Sequence, residues 1–172
     1  MRAVDAKPGV RVLDCTAGLG RDSLVLAAYG CEVDMIERSG PVAALLRDAL
    51  ARAQNGSVAG IVSRMHLIEA DAIGYLQQLE DIPDAIYLDP MFPPRTKHAK
   101  VKGEMQMLQR FIGTDEDIQS LISAAMATGS ARIILKRPAR GPGDALDDWR
   151  PSFTLKGRTS RFEVFLREHH RS

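Results

Sequence analysis

Val12-Leu13-Asp14-Cys15-Thr16-Ala17-Gly18-Leu19-Gly20-Arg21-Asp22 is the stretch whose reading decides the fold. A short β-type run, Val10 to Cys15, carries a carboxylate at Asp14. Thr16 to Gly20 is a glycine turn, and Leu24, Val25, Leu26 and Ala28 then predict a helix that stops near Gly30, a residue suited to a left-handed helix end. Strand, glycine turn and helix in that order are the context of a nucleotide-type site. A dinucleotide fingerprint wants a third glycine where Ser23 stands. Arg21 and Asp22 open the helix instead. A pyrophosphate prefers bare amides at a helix N-terminus, whereas the Asp22 carboxylate suits the cationic end of a ligand.

The chain downstream repeats the pattern. Cys31 to Ile36 predicts a second strand, closed by Glu37-Arg38. Ser39 and Pro41 suit a helix start, and Val42, Leu45, Leu46, Ala49 and Leu50 keep helical spacing until Asn55-Gly56. Met65 to Ile68 predicts a third strand, with Asp71 and a short helix through Leu79 behind it; Ala85 to Leu88 predicts a fourth. Thr114 to Asp117 reads as an acid-rich helix start with Ile118, Leu121, Ile122 and Ala125 as its apolar face, and Ala131 to Leu135 as a fifth strand. Phe153 to Leu155 and Phe162 to Leu166 predict a closing hairpin through Lys156-Gly157-Arg158. Alternating strands and helices predict an α/β fold with a mainly parallel sheet, helices on both faces, and an antiparallel edge strand from the hairpin.

Successive strand ends carry acids. Glu37 suits the two hydroxyls of a ribose, and Asp71 suits an adenine amino group. Taken singly, Asp14, Gly18 and Gly20 are ordinary turn residues, and Glu37 and Asp71 are ordinary helix caps. Together and in this order they point to an S-adenosylmethionine site.

The fourth strand runs into Leu88-Asp89-Pro90-Met91-Phe92-Pro93-Pro94. Proline fixes its own φ and biases its predecessor to extended backbone, so Asp89 is expected in a stiff position. A carboxylate, neighbouring carbonyls and the Phe92 ring at a strand's carboxyl end suit an amino group on a planar base, at the sheet edge where α/β folds bind ligands.

Composition bounds the remainder. The 172 residues suit one domain with a sizeable core, and 45% hydrophobic with 26% charged residues is ordinary for a globular chain. No apolar run approaches the roughly 20 residues of a membrane span, and the first ten residues lack a signal-peptide core. Cys15 and Cys31 fit small buried thiols in a reducing compartment, so a cytoplasmic location is expected. No Cys/His spacing suggests a metal. Net charge is only +1, yet Arg95, Lys97, Lys100 and Lys102, then Arg132, Lys136, Arg137 and Arg140, then Arg150, Lys156, Arg158 and Arg161 load the second half. That distribution suggests a polyanion on one face. Lys136 and Arg137 after the fifth strand, Arg161, and the Arg95, Lys97, Lys100 and Lys102 group are the candidate phosphate contacts. Trp149 is expected to pack the segment before the hairpin, and His98, His169 and His170 to lie on the surface.

The first stretch, with Ile36-Glu37-Arg38 and Tyr87-Leu88-Asp89-Pro90-Met91-Phe92-Pro93, resembles the ribosomal RNA small subunit methyltransferase J family. Met105, Leu135-Lys136-Arg137-Pro138, and Lys156-Gly157 with Arg161-Phe162 extend the resemblance over nearly the whole chain. It implies a class I, Rossmann-like, S-adenosylmethionine-dependent enzyme that methylates the exocyclic N2 of one guanine in 16S rRNA, with the small ribosomal subunit as partner. It also implies cofactor-binding positions at Arg21-Asp22, Glu37-Arg38, Asp71-Ala72 and Asp89. Members carry a further N-terminal segment, so residues 1–172 are expected to be one methyltransferase domain of a short or truncated member. The chemistry required assigns Asp89 and the Pro90 carbonyl to the two N–H bonds of the amine, and Phe92 to stacking on the base. Competing readings are a methyltransferase for another planar amine, adenine N6 or glutamine, and a non-catalytic RNA-binding module. Met91, where those amine families favour a second proline, argues against the first; an acid kept at every strand end argues against the second.

Overall fold

The computed structural model describes residues 2–90, 118–139 and 149–167. Met91, Phe92, Arg95, Lys97, His98, Lys100, Lys102, Met105, the helix start at Thr114 to Asp117, and His169-His170 lie outside the described residues.

Seven strands, β1 (Arg11–Asp14), β2 (Glu32–Glu37), β3 (Met65–Glu69), β4 (Ala85–Leu88), β5 (Arg132–Pro138), β6 (Phe153–Lys156) and β7 (Ser160–Leu166), form one sheet in the order β3-β2-β1-β4-β5-β7-β6. β1 pairs in parallel with β2 and β4, β2 with β3, and β4 with β5; β7 runs antiparallel to both β5 and β6. Every residue of β4 is buried, as expected of a central parallel strand covered on both faces.

Helices α1 (Arg21–Ala28), α2 (Gly40–Ala53) and α3 (Ala59–Val62) join the core that includes Leu26, Ala27, Leu46, Val33, Met35 and Tyr87. On the other face α4 (Ala72–Gln77) and α5 (Ile118–Ala127) bring Leu76, Leu121, Ile122 and Ala125 against Leu13, Ile86, Leu88 and Leu135. Both cysteines are free and buried. No described helix is long and apolar enough to cross a membrane.

Helix boundaries follow local chemistry. α1 starts after Gly20, left-handed at φ 70°, and its end is closed by Gly30 at φ 92°. Ser39 precedes α2, but its hydroxyl makes no cap bond. Two expectations need correction. β5 does not stop at Leu135; register with β7 from Arg132↔Leu166 to Pro138↔Ser160 carries it three residues further. The hairpin does supply the antiparallel edge strand that its sequence predicts. β7, richer in large apolar residues, takes the interior place, and β6 forms the edge. Trp149 is 42% exposed and so does not serve as a buried packing element.

The chain crosses from β3 at one edge to β4 beside β1, so winding reverses between β1 and β4. In open α/β sheets the crevice outside that reversal, at the carboxyl ends, is the ligand site.

Candidate active site at the carboxyl edge of the sheet

Asp14, Glu37, Asp71 and Asp89 stand at or just beyond the carboxyl ends of β1, β2, β3 and β4. Asp14 is 2% exposed and held inside: its Oδ2 accepts from Ser23 Oγ at 2.5 Å, and its Oδ1 accepts from Thr16 N at 3.0 Å. Burial is the main cause that pushes the Asp14 carboxyl up to about 6, against the pull of the Ser23 and Thr16 bonds. Ser23, which breaks the dinucleotide pattern, thus secures the strand-end acid to α1. The Thr16 hydroxyl accepts from Asp89 N at 2.7 Å, tying the end of β1 to the turn beyond β4.

Glu37, also buried, uses one carboxylate oxygen for Gly18 N at 3.0 Å and the other for Ser39 N at 2.7 Å. Each oxygen keeps acceptor capacity, because a carboxylate offers about four lone-pair directions. Glu37 therefore fixes the glycine turn and can still meet hydroxyls. The Ser39 hydroxyl beside it is buried without a hydrogen-bond partner among the described residues. Gly18 is left-handed at φ 53°, and a Cβ there would meet open space. Gly20 is different: a Cβ would lie 3.0 Å from Leu46 Cδ1.

The largest difference from the sequence expectation concerns charge. Because β5 continues past Leu135, Lys136 lies on the sheet face that carries Tyr87 and α1. Its Nζ donates to Asp22 Oδ2 at 2.6 Å and Asp89 Oδ2 at 2.8 Å. Tyr87 Oη donates to the same Asp22 oxygen at 2.7 Å. Burial, with Asp22 next, pushes the Tyr87 phenol far above its ordinary range, so it is a fixed donor. Burial also pushes the Asp89 carboxyl up, while Lys136 pulls the other way. Burial works against the Lys136 ammonium, but Asp89 and Asp22 outweigh it and its pKa is raised. Lys136 is thus committed to two carboxylates rather than offered to phosphate.

Arg137 also departs from its expected role. Its side chain, 4% exposed, pairs with Glu163 at 3.0 Å on the opposite sheet face. Arg161, its register partner, bonds Glu163 Oε1 at 2.8 Å and donates through Nη1 to the Pro138 carbonyl at 3.1 Å. Asp71 caps α4, accepting from Gly74 N at 3.0 Å, and Ala72 is the first helical residue behind it. Arg21 and Arg38 are exposed at the rim. Pro90 is buried directly after Asp89. Sequence reasoning missed Thr16, Ser23, Ser39 and Tyr87, none of which stands out from turn, helix or core composition.

Comparison with known proteins agrees with this geometry. The family model described as "Putative SAM-dependent methyltransferase" matches residues 1–167. A protein of Stutzerimonas stutzeri named ribosomal RNA small subunit methyltransferase J is 48% identical over 168 residues, covering 95% of this chain and 64% of its own length. Its namesake in Cellvibrio japonicus is 47% identical over 177 residues, covering 97% and 66%. The crystal structure of a SAM-dependent methyltransferase of Neisseria gonorrhoeae superposes with a TM-score of 0.75 at 34% identity, covering 96% of this chain and 64% of that one. The chain therefore spans about two thirds of the length of these relatives.

Proposed function

The chain belongs to the SAM-dependent methyltransferase family, and on that premise we propose that it methylates the exocyclic N2 of a guanosine in small-subunit ribosomal RNA. The observation that carries the proposal is the row of acids at four neighbouring strand ends, finishing in Asp89, whose backbone N–H is fixed by Thr16 and whose carboxylate is fixed by Lys136. The names of the relatives at 44–48% identity support the rRNA substrate. We also treat residues 1–172 as one catalytic domain acting in the cytoplasm, where ribosomal RNA is made into subunits.

The residues fit S-adenosylmethionine. An orphaned Ser39 hydroxyl beside Glu37 suits a ribose, Asp71 at the rim suits an adenine amine, and Asp22 at the start of α1 disfavours a pyrophosphate. Gly18 keeps the wall between them free of a side chain, with Gly20, Arg21, Arg38 and Ala72 completing it. Bound there, the cofactor supplies an electrophilic methyl group.

The chain's own residues do the rest. The guanine N2 lone pair is delocalised into the ring, so the amine must be oriented as well as held. Asp89 and the Pro90 carbonyl accept its two N–H bonds and aim the lone pair; placement of this kind is worth orders of magnitude in rate. Asp89 need not take a proton before transfer, because the nitrogen becomes acidic only once methylated. Phe92 is retained from sequence as the stacking ring. Arg95, Lys97, Lys100 and Lys102 remain candidates for phosphate, whereas Lys136, Arg137 and Arg161, each committed to a carboxylate, do not. Methyl transfer from labelled S-adenosylmethionine to small subunits lacking the native mark, followed by nucleoside analysis, tests the proposal. N2-methylguanosine at one site is expected; N6-methyladenosine or labelled protein would replace this acceptor with another.

A further inference from the structure

Lys136, like Arg137, does not sit on a basic loop, and it alone of the two reaches the carboxyl-edge acids. It approaches the site from β5 and is enclosed: its side chain is 21% exposed, with Asp22 and Asp89 at 2.6 and 2.8 Å. An ammonium has three donors, and these two carboxylates take two. The pairs belong to a longer chain of bonds. Tyr87 Oη reaches Asp22, Asp22 reaches Lys136, Lys136 reaches Asp89, and Asp89 N reaches the Thr16 hydroxyl, which in turn meets Asp14. Four elements, β1, α1, β4 and β5, are locked through one cation.

We propose that Lys136 is a positioning residue for methyl transfer: it holds Asp89 ionised and pinned toward Asp22, so that the carboxylate is ready to accept the N–H bonds of the incoming amine. The functional meaning rests on the reaction proposed above; the electrostatic claim does not. The described groups that face Asp89 are Asp14 from β1, Asp22 from α1, Tyr87 from β4 and Lys136 from β5. Asp14 and Asp22 both disfavour a second negative charge, and burial disfavours it further. Lys136 is the one cation among them. Without it Asp89 would sit between two acids in a half-buried niche and take up a proton, which turns an acceptor oxygen into a donor and misplaces the amine. A single opposite charge at this range lowers a carboxyl pKa by roughly one to three units, and Lys136 is the group that opposes burial at Asp89 in this way.

Carboxyl-carbon NMR titration of Asp89 in the ligand-free protein, for wild type, Lys136→Met, Lys136→Gln and Lys136→Arg, tests this without requiring activity. The Asp89 titration is expected to move up by about one pH unit or more in the Met and Gln variants and to return toward wild type in Arg. Where transfer is measurable, the acid limb of kcat should move up with it, while the salt slope of RNA binding stays unchanged. An Asp89 titration at the wild-type pH in both neutral variants overturns the proposal. So does a salt slope smaller by about one with no Asp89 shift, which would make Lys136 a phosphate contact after all. If the neutral variants do not fold, the wild-type Lys136 ammonium nitrogen resonance decides: it should move with the Asp89 titration, and independence overturns the claim. Absence of S-adenosylmethionine binding by wild type would instead refute the reaction and leave these titrations intact.

Discussion

The two ends of the same parallel strands use the same kinds of side chain in opposite ways. At the amino ends, Arg11 pairs with Asp81 at 2.8 Å, and Asp84 accepts from Arg11 N at 2.8 Å. Asp81 is 77% exposed there, beside an open hollow of about 470 Å³ lined in part by Asp34, Tyr75 and Pro83. At the carboxyl ends, Asp14 is shut away at 2% exposure, and Asp22, Asp89 and Lys136 are drawn inward around it. Water screens the first set, so its partners scarcely perturb the fold. Burial amplifies every interaction in the second, so carboxyl and phenol groups there leave their ordinary ranges together. The crevice at the reversal of strand order, not the hollow at the amino ends, is where an open α/β sheet binds its ligand.

Substitutions at the two ends should therefore differ in size. Asp89→Ala removes the acceptor for the amine, and transfer should fall at least about 100-fold with the circular dichroism spectrum unchanged; single-turnover rates decide, and a wild-type rate would exclude Asp89 from the reaction. At Asp14 the effect is on stability. Its carboxyl is raised from 3.8 to about 6 in the folded state, so its contribution is fully present below pH 3.8 and is lost as pH rises through about 6. Two units correspond to about 3 kcal/mol. Wild type should lose stability relative to Asp14→Asn across that window, read from urea midpoints at a series of pH values; parallel curves would show that the Asp14 carboxyl is not raised in the folded state. Gly20→Ala places a Cβ against Leu46 in a left-handed conformation and should cost about 1–2 kcal/mol in the same assay. Smallest of all, Asp81→Ala at the amino end should leave transfer, cofactor binding and the melting temperature close to wild type; a loss of cofactor binding would mean that the hollow there is functional.

How far the sequence reached follows the same division. Strand-end acids were legible at Asp14, Glu37, Asp71 and Asp89 because an apolar run that stops on a carboxylate and is followed by a glycine or proline leaves a local signature. The parallel pairing of β1 to β5 followed from strand–helix alternation. Lys136 was not legible. Its strand continues past the apolar run only because β7 pairs with it, a contact between residues far apart in the chain, and polar residues inside a strand leave no periodic trace. The same blindness hid Tyr87, read as one more residue of an apolar strand, though its hydroxyl fixes Asp22. Arg137 looked like its neighbour Lys136, yet strand alternation sends it to the other face and into Glu163. Asp71 shows a milder limit, since helix cap and adenine acceptor demand the same residue at the same place.

The most direct test of the central claim, that the carboxyl edge between β1 and β4 is the cofactor site, is a backbone amide NMR titration with S-adenosylmethionine. The amides of Gly18, Ser39, Ala72 and Asp89 are expected to shift together and saturate, while those of Arg11 and Asp84 stay in place. Shifts confined to Arg11, Asp84 and the hollow beside them, or no saturable shift anywhere, would contradict that claim.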